Sequence, residues 1–328
     1  MELRDYILKG LRKGYRRLAR PSFPKPPCVM DRREANDLMR ERLTSGEPCM
    51  ISRLGTGEIG IVTNYLAVHD RRPFLERCRQ YIVNDAGLPW WDKLFFKSMR
   101  LNAGIFPETV GTLERFAERY LRDIPEIDLL GSFNYTERWL PLKADAPRVH
   151  LECLYPFWVE NPWTLALKGR KVLVVHPFAE TIRAQYARRE LLFGNPGVLP
   201  EYELKTLRAV QSNAGNEVPF RDWFEALKWM EDEMARADFD VCILGCGAYG
   251  LPLAAAAKHM GKQAVHLGGG SQLLFGIKGK RWDNDRYHWK DAPRLYTNYS
   301  SLYNEHWVRP SAEETPPSAR KVEGACYW

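Results

Sequence analysis

Short apolar runs that alternate with helical periodicity dominate the pattern of hydrophobic and polar positions along the chain. The runs at 171–176 and 241–244 are the clearest, because few polar residues interrupt them. Runs of this kind are typical of strands buried on both faces of a parallel sheet. Strands are predicted at 49–54, 129–133, 149–154, 171–176, 203–210, 241–244 and 263–267.

Helical segments lie between most of these strands. Helices are predicted at 31–44, 59–67, 108–122, 177–189, 221–236 and 251–260. The alternation of strands and helices predicts an α/β fold with a single domain at 31–310. A basic helix and proline-rich linker at 1–30 precede this domain, and a loose polar tail at 311–328 follows it. The aromatic stretch 81–100 suits a lid or an acceptor surface, although core packing is the commoner fate of such residues.

The segment 240–282 has the order strand, glycine turn, helix, strand, glycine turn. Gly245, Gly247 and Gly250 have the GxGxxG spacing, which allows a tight turn, close approach to a diphosphate and close packing of the next helix. A Rossmann-like parallel sheet is therefore expected. A dinucleotide-binding unit usually has an acid about 20 residues after the glycine turn, which binds a ribose hydroxyl. No acid occurs between Gly250 and Asp283, so the sequence favours a nucleotide diphosphate over a dinucleotide as the ligand. A purely steric role for the glycines is the alternative.

Composition argues against several classes of protein. The 328 residues are 45% hydrophobic and 27% charged, which is ordinary for a globular protein and argues against disorder. No apolar run approaches the roughly 20 residues that span a bilayer, and no signal-peptide core is evident, so a cytoplasmic protein is expected. The seven cysteines have no repeated spacing and are expected to be reduced. The histidines form no zinc-ligand cluster.

Positive charge is concentrated at the amino terminus. Residues 1–20 carry seven basic side chains against two acidic ones, while the whole chain has a net charge of +7. An apolar stripe recurs among them, which predicts a basic amphipathic helix. Two interpretations stay open: contact with an anionic membrane at the inner face of the cell, or packing of the stripe on the domain. Nucleic acid is not expected as a partner. The stripe consists of Leu3, Ile7, Leu11, Tyr15 and Leu18.

Two segments resemble a known family. Residues 53–58 (RLGTGE) resemble the amino-terminal R-x-G-D-G-E signature of GT-D-type glycosyltransferases. The block 245–282 resembles the GT-D-like branch found in bacterial surface-polysaccharide loci. The segments 176–180 and 211–215 fall between them, where that family also has loops. The resemblance covers about residues 35–310.

The resemblance implies transfer of a sugar from a nucleotide-diphosphate donor, most readily a UDP-sugar, to a glycan or lipid-linked glycan in surface-polysaccharide biosynthesis. It also implies a divalent cation, Mn²⁺ or Mg²⁺, held by an Asp-x-Glu pair. Thr56 stands at the first of these positions, so that only Glu58 remains. Because one carboxylate is a poor site for a hard cation, basic side chains and helix-terminal amides are the alternative partners of the diphosphate.

Glycosyl transfer needs groups that stabilise the departing diphosphate and, in an inverting mechanism, a base for the acceptor hydroxyl. Glu58 and Glu180 are the candidate bases, with Asp283 as an outsider, and His176 is a candidate for proton transfer or diphosphate contact. The residues expected to bind the nucleotide diphosphate are Arg53, Gly55, Gly57, Gly245, Gly247, Tyr249, Gly250, His266, Gly268, Gly269, Gln272, Lys278 and Arg281.

Each candidate has a structural alternative. Glu58 and Glu180 lie near predicted helix starts, where the helix dipole favours an acid, and His176 could be a core residue. The triplet 283–285 matches the Asp-x-Asp metal pattern of GT-A enzymes, but an ordinary turn is expected there. Two other functions stay open: a non-catalytic nucleotide-binding scaffold, or a Rossmann enzyme that uses NAD or S-adenosylmethionine.

Overall fold

One seven-stranded, all-parallel sheet forms the centre of the protein. The computed structural model describes residues 3–21, 24–283, 295, 298–322 and 324–328. The strand order is β3-β2-β1-β7-β6-β4-β5. The predicted α/β fold, a parallel sheet flanked by helices, is confirmed. The strands are β1 (Cys49–Arg53), β2 (Leu129–Ser132), β3 (Arg148–His150), β4 (Lys171–His176), β5 (Glu203–Arg208), β6 (Val241–Leu244) and β7 (Gln263–His266).

Helices cover the sheet on both sides. Several begin where the sequence supplies a capping side chain: Asp31, Thr109 and Asp222 each accept hydrogen bonds from backbone N–H groups of the first helical turn. The α-helices within the described residues are α1 (Leu3–Leu18), α2 (Arg32–Thr44), α3 (Thr56–Val68), α4 (Phe74–Ile82), α5 (Lys93–Ser98), α6 (Val110–Asp123), α7 (Ala179–Tyr186), α8 (Trp223–Arg236) and α9 (Gly250–His259).

Alternate residues of the inner strands enter two separate cores. In β4, Leu173 and Val175 pack with α3, α6, α8 and α9, whereas Val172 and Val174 pack with α2 and α7. All four side chains are at most 2% exposed. Burial on both faces explains why the sequence of this strand is an unbroken apolar run.

The structure differs from the prediction in two segments, 149–154 and 81–100. The run predicted as a strand at 149–154 is a strand only to His150, and Leu151–Leu154 form a 3-10 turn. The His150 Nδ1 accepts a hydrogen bond from the Glu152 N–H at this point, which satisfies the backbone without a neighbouring strand. The stretch 81–100 contains α5, which continues into a π-helix, Met99–Ala103.

The carboxyl-terminal segment is packed against the domain, contrary to the expectation of a loose polar tail. Glu314 is 1% exposed, and its carboxylate accepts hydrogen bonds from the Glu180 and Thr181 N–H groups at the start of α7. The Val322 and Cys326 side chains are buried beside Ala214. Glu314 supplies a buried acceptor to the free N–H groups at the start of α7. The segment therefore packs against the domain despite its polar composition.

The basic amino-terminal helix forms as predicted, but it contacts the domain through a different face from the apolar stripe. Asp5 and Leu8 are its buried residues, whereas Leu3, Ile7 and Leu11 are exposed. Within the described part of the chain, every helix is too short or too polar to cross a bilayer.

Candidate functional site

The chain leaves a crevice at the carboxyl edge of the sheet, between β4 and β6. From β4 the chain continues outward to β5, whereas from β6 it continues to β7 on the opposite side. Loops on either side of such a reversal diverge and leave a gap between them, which is where open parallel sheets bind ligands. The glycine turn after β6 reaches this gap, as do Arg53 and Glu58 on either side of the glycine turn after β1.

A cavity of about 770 Å³, including its open mouth, fills the crevice. Its wall combines segments that follow five of the strands, together with the π-helix and the carboxyl terminus. The lining includes Arg53, Glu58, Asn102, His176, Phe178, Ser212, Gly245, Gly247, Tyr249, Gly268, Gly269, Gln272, Tyr327 and Trp328.

The glycines of the 245–250 turn have different physical roles. A Cβ atom at Gly245 would overlap Ser271 Oγ and the His176 ring, and one at Gly250 would overlap the His266 imidazole. Close packing therefore requires these two glycines. Gly247 has a positive φ of 59° and open space where a Cβ would lie, and it lines the cavity. At this residue, the backbone itself is open to a ligand.

Arg53, the last residue of β1, brings a positive charge to the cavity. Its guanidinium lies 5.2 Å from the centre of the Phe133 ring and packs against the backbone of Gly268, which has a positive φ of 64°. Within the described residues it forms no salt bridge, and its buried Nε has no hydrogen-bond partner. A buried, unsatisfied guanidinium N–H is costly, so an anion in this cavity would gain a charge-assisted hydrogen bond.

Glu58 lies in the first turn of α3 and borders the same cavity. Its carboxylate folds back over Gly55, where any Cβ atom would overlap it. No hydrogen bond or ion pair to another described residue engages this carboxylate, while its place in the first turn agrees with the helix-dipole alternative. Glu58 is the only carboxylate among the described residues that line the cavity.

Two histidines at strand ends are buried and neutral. Burial lowers the pKa of His176 from 6.5 to about 3, and its Nδ1 accepts a hydrogen bond from the Phe178 N–H. Its proton therefore lies on Nε2, and the ring can donate a hydrogen bond but is a poor base at neutral pH. Burial, with a smaller effect of Arg53, lowers the pKa of His266 to about 3. His266 lies under Gly250, bonded to Ser52 Oγ, and does not line the cavity.

A second, more open cleft of about 1630 Å³ adjoins the first. The two share Arg53, Glu58, Asn102, Ala103 and Tyr327. Lys25 and Arg281 add basic side chains, and Gly55, Thr56, Gly57 and Asn134 form another part of its wall. Glu58 is again the only carboxylate among its described lining residues. Glu58 thus stands at the border between two adjoining spaces.

Several residues predicted for the site lie elsewhere. Glu180 is exposed, forms an ion pair with Arg183 and lines neither cavity. The Lys278 ammonium lies 5.4 Å from the centre of the Tyr303 ring, outside both linings. Asp283 forms a salt bridge with Arg309, and the Asp285 of its triplet lies outside the described residues. Glu180, Lys278 and Asp283 therefore line neither of the two cavities.

The carboxyl-terminal residues Tyr327 and Trp328 are wall residues that the sequence did not indicate. Arg281 Nη1 donates a hydrogen bond to the Tyr327 hydroxyl, and Gln272 Nε2 donates to the Tyr327 carbonyl. The Trp328 ring meets Phe178 edge to face at 6.1 Å. Gln272 thus anchors the segment that closes the cavity. No local sequence pattern connects residues 327–328 with strands 60 to 280 residues earlier, so only the fold identifies them.

The described side chains do not by themselves complete a binding site for a hard divalent cation. In the part of the chain that the structure describes, no three His, Cys, Asp or Glu side chains form a metal-binding cluster. The Thr56 hydroxyl, at the position of the paired carboxylate, donates a hydrogen bond to Asn134 Oδ1 at 2.9 Å. Glu58 alone supplies too few oxygen ligands.

No protein-family model and no curated protein matches the chain. Two solved structures of the domain of unknown function 1792 are similar to it, one selenomethionine-substituted and the other described as having a distinct glycosyltransferase fold. Each is 15% identical, with coverage of 87% of this chain and 96% of the other, at a TM-score of 0.31. A likeness this distant carries no argument about chemistry.

Proposed function

We propose that this protein is a glycosyltransferase that moves a sugar from a nucleotide-diphosphate donor, such as a UDP-sugar, to a hydroxyl of a glycan or lipid-linked glycan. One observation carries the proposal: Arg53 and Glu58 border a single crevice, and neither forms a salt bridge with a described residue. A cation for the leaving group and a base for the attacking group are the two charges that this reaction needs. The motif at 53–58 gives further support.

The donor diphosphate would lie against the turn 245–250. There Arg53, the open backbone at Gly247 and the amino terminus of α9 all favour negative charge. The Nε2–H of His176 can donate a further, neutral hydrogen bond. Trp328 offers a partly exposed aromatic surface for a base. These groups stabilise the charge that develops as the bond between the anomeric carbon and the phosphate oxygen breaks.

The acceptor would enter through the second cleft, with Glu58 between it and the donor. The Glu58 carboxylate takes the proton of the acceptor hydroxyl while the hydroxyl oxygen bonds to the anomeric carbon. The electron pair of the broken bond leaves with the diphosphate, next to Arg53. This single displacement inverts the anomeric configuration.

The experiment is an assay of nucleoside diphosphate release from UDP- and GDP-sugars, with glycan and lipid-linked acceptors. Replacing Glu58 by Gln should lower kcat about 10²- to 10⁴-fold, the usual contribution of a general base. KM for the donor should change little, because Glu58 does not hold the diphosphate. Glu180→Gln is the matched control, since Glu180 also lies in a first helical turn but outside both cavities.

Equal losses in both variants, or full activity of Glu58→Gln, would contradict the assignment of the base. If the protein binds a nucleotide tightly but transfers no sugar to any acceptor, the non-catalytic nucleotide-binding scaffold would be favoured over the enzyme. The proposal also requires that the product have inverted anomeric configuration, which nuclear magnetic resonance of the purified product measures directly.

A further inference from the structure

The amino-terminal helix α1 is held to the domain by a narrow strip of contacts. The Trp90 Nε1–H donates a hydrogen bond to Asp5 Oδ1 at 2.6 Å, and Lys9 forms a salt bridge with Asp92 at 2.8 Å. Leu8 packs with Tyr81 and Leu88 in a small separate cluster. These contacts fix which side of the helix faces away from the domain.

The outward side of α1 is apolar. Leu3, Ile7, Leu11 and Leu18 are between 53% and 89% exposed. Their spacing places them on one face of the helix, and Gly10 and Gly14 on the same face have open space beyond them. Exposure of large apolar side chains along a continuous stripe is unfavourable in water and marks a surface that another apolar phase covers.

Two elements that contact α1 also expose large apolar side chains. Helix α4 packs against α1 and exposes Phe74 and Leu75, and the neighbouring α5 exposes Leu94. Phe74 also stacks on Trp90, the residue that binds α1 through Asp5. We call the outward residues of α1, α4 and α5 the docking face, which comprises Leu3, Ile7, Leu11, Leu18, Phe74, Leu75 and Leu94.

Positive charge borders the docking face. A shallow groove on α1 has a lining of basic side chains: Lys9, Arg12, Lys13, Arg16 and Arg17. The Lys13 and Arg17 side chains are exposed, and neither forms a salt bridge with a described residue. An apolar stripe beside a row of cations is complementary to a surface whose interior is apolar and whose outer layer carries negative charge.

We propose that the docking face binds the surface of an anionic lipid bilayer, with α1 lying in the plane of the headgroups. The apolar side chains enter the acyl boundary, and the basic groove contacts lipid phosphates. A second copy of the chain fits less well as the occupant. Pairing two α1 helices would bring two rows of cations together, and Asp5, the acid within α1, is already engaged by Trp90.

The docking face lies next to the candidate site along the chain. Helix α5, which exposes Leu94, continues directly into Met99–Ala103, whose Asn102 lines both cavities. Lys25, soon after α1, lines the open cleft. Docking would thus bring a bilayer-borne acceptor near Glu58. This last step rests on the proposed function, whereas lipid binding itself does not.

Sedimentation of the full-length protein with vesicles tests the proposal. The vesicles contain phosphatidylcholine alone or phosphatidylcholine with phosphatidylglycerol, at low and high salt. Binding is expected only to the anionic vesicles and should weaken as salt screens the charges. The double variant Lys13→Gln/Arg17→Gln should bind about 30-fold more weakly, since each basic residue near an anionic surface contributes roughly fivefold. Ile7→Ser/Leu11→Ser should also weaken binding.

Matched controls remove equivalent groups from other surfaces. Lys228→Gln/Arg236→Gln removes two charges from α8, and Leu191→Ser removes an exposed leucine elsewhere. Both control variants should bind as the wild type does. Failure to bind anionic vesicles at low salt, or equal losses in test and control variants, would overturn the proposal. So would a concentration-dependent dimer that Ile7→Ser/Leu11→Ser abolishes, because a second copy would then be the occupant. Activity is not part of this readout, so failure of lipid binding leaves the proposed chemistry separately testable.

Discussion

At the scale of single residues, the candidate site depends on charged side chains that form no salt bridge with a described residue. Arg53 and Glu58 are close in sequence and border the same two cavities, yet they do not pair with each other. Gly55 and Gly268 contribute by the absence of a side chain, because a Cβ at Gly55 would displace the Glu58 carboxylate and one at Gly268 would crowd Arg53. A site arranged in this way leaves both charges available to a ligand.

A buried histidine beside this site predicts how stability depends on pH. The pKa of His266 is about 3 in the folded state, against about 6.5 in an unfolded chain. Between these values the unfolded chain binds more protons, so the free energy of unfolding falls as the pH is lowered through this window. In His266→Asn the slope between about pH 6 and about pH 4 should be smaller by roughly 1.4 kcal/mol per pH unit.

Urea unfolding at several pH values, followed by circular dichroism, measures that slope. The variant must be folded at neutral pH for the comparison to hold, which the same spectra establish. Identical slopes in the wild type and in His266→Asn would show that the imidazole titrates alike in the folded and unfolded chain, and would contradict the lowered pKa of the buried ring.

At the scale of elements, the carboxyl-terminal segment completes the start of α7. Glu314 is buried, and its carboxylate accepts from two backbone N–H groups and from the Thr181 hydroxyl. It thus acts as a capping residue supplied from a distant part of the chain. The Trp328 Nε1–H donates a hydrogen bond to the backbone carbonyl of Glu314. This bond connects the residue that caps α7 with the wall of the cavity.

Replacing Glu314 by Ala should therefore lower the free energy of unfolding by about 1 to 3 kcal/mol, because buried amide donors lose their acceptor. The amide protons of Glu180 and Thr181 should also exchange faster with solvent. Glu313→Ala is the matched control, since Glu313 is the adjacent acid and is exposed. Hydrogen exchange and urea unfolding together measure both effects, and equal behaviour of the two variants would contradict the capping role.

The elements that local pattern determines can be predicted from the sequence, and those that tertiary contacts determine cannot. Strands β4 and β6 carry their signal in unbroken apolar runs, and α2 carries its signal in Asp31. The polar composition of the segment after residue 310 predicts a loose tail. The segment instead packs on the domain because Glu314 binds the start of α7, a long-range contact that no local pattern reveals. Helix α1 is amphipathic as predicted, but the contacts of Asp5 and Leu8 with the domain turn its apolar stripe toward solvent.

At the scale of the whole molecule, the sheet order determines where the candidate site lies. Parallel strands bring all their following loops to one edge, and the reversal between β4 and β6 opens that edge into a crevice. This explains why the loops after β1, β4, β6 and β7 could be grouped from sequence. Tyr327 and Trp328 could not, because their place in the wall follows from the return of the chain across the sheet edge.

We propose that this crevice binds a nucleoside diphosphate through Arg53. Titration calorimetry with UDP, GDP, CMP, NAD and S-adenosylmethionine, with and without Mn²⁺, measures this binding in the wild type, in Arg53→Gln and in the control Lys278→Gln. We expect UDP or GDP to bind the wild type and the control equally, and to bind Arg53→Gln about 10- to 150-fold more weakly, as loss of a charged hydrogen bond predicts. Binding of NAD or S-adenosylmethionine alone, or diphosphate binding that does not depend on Arg53, would contradict it.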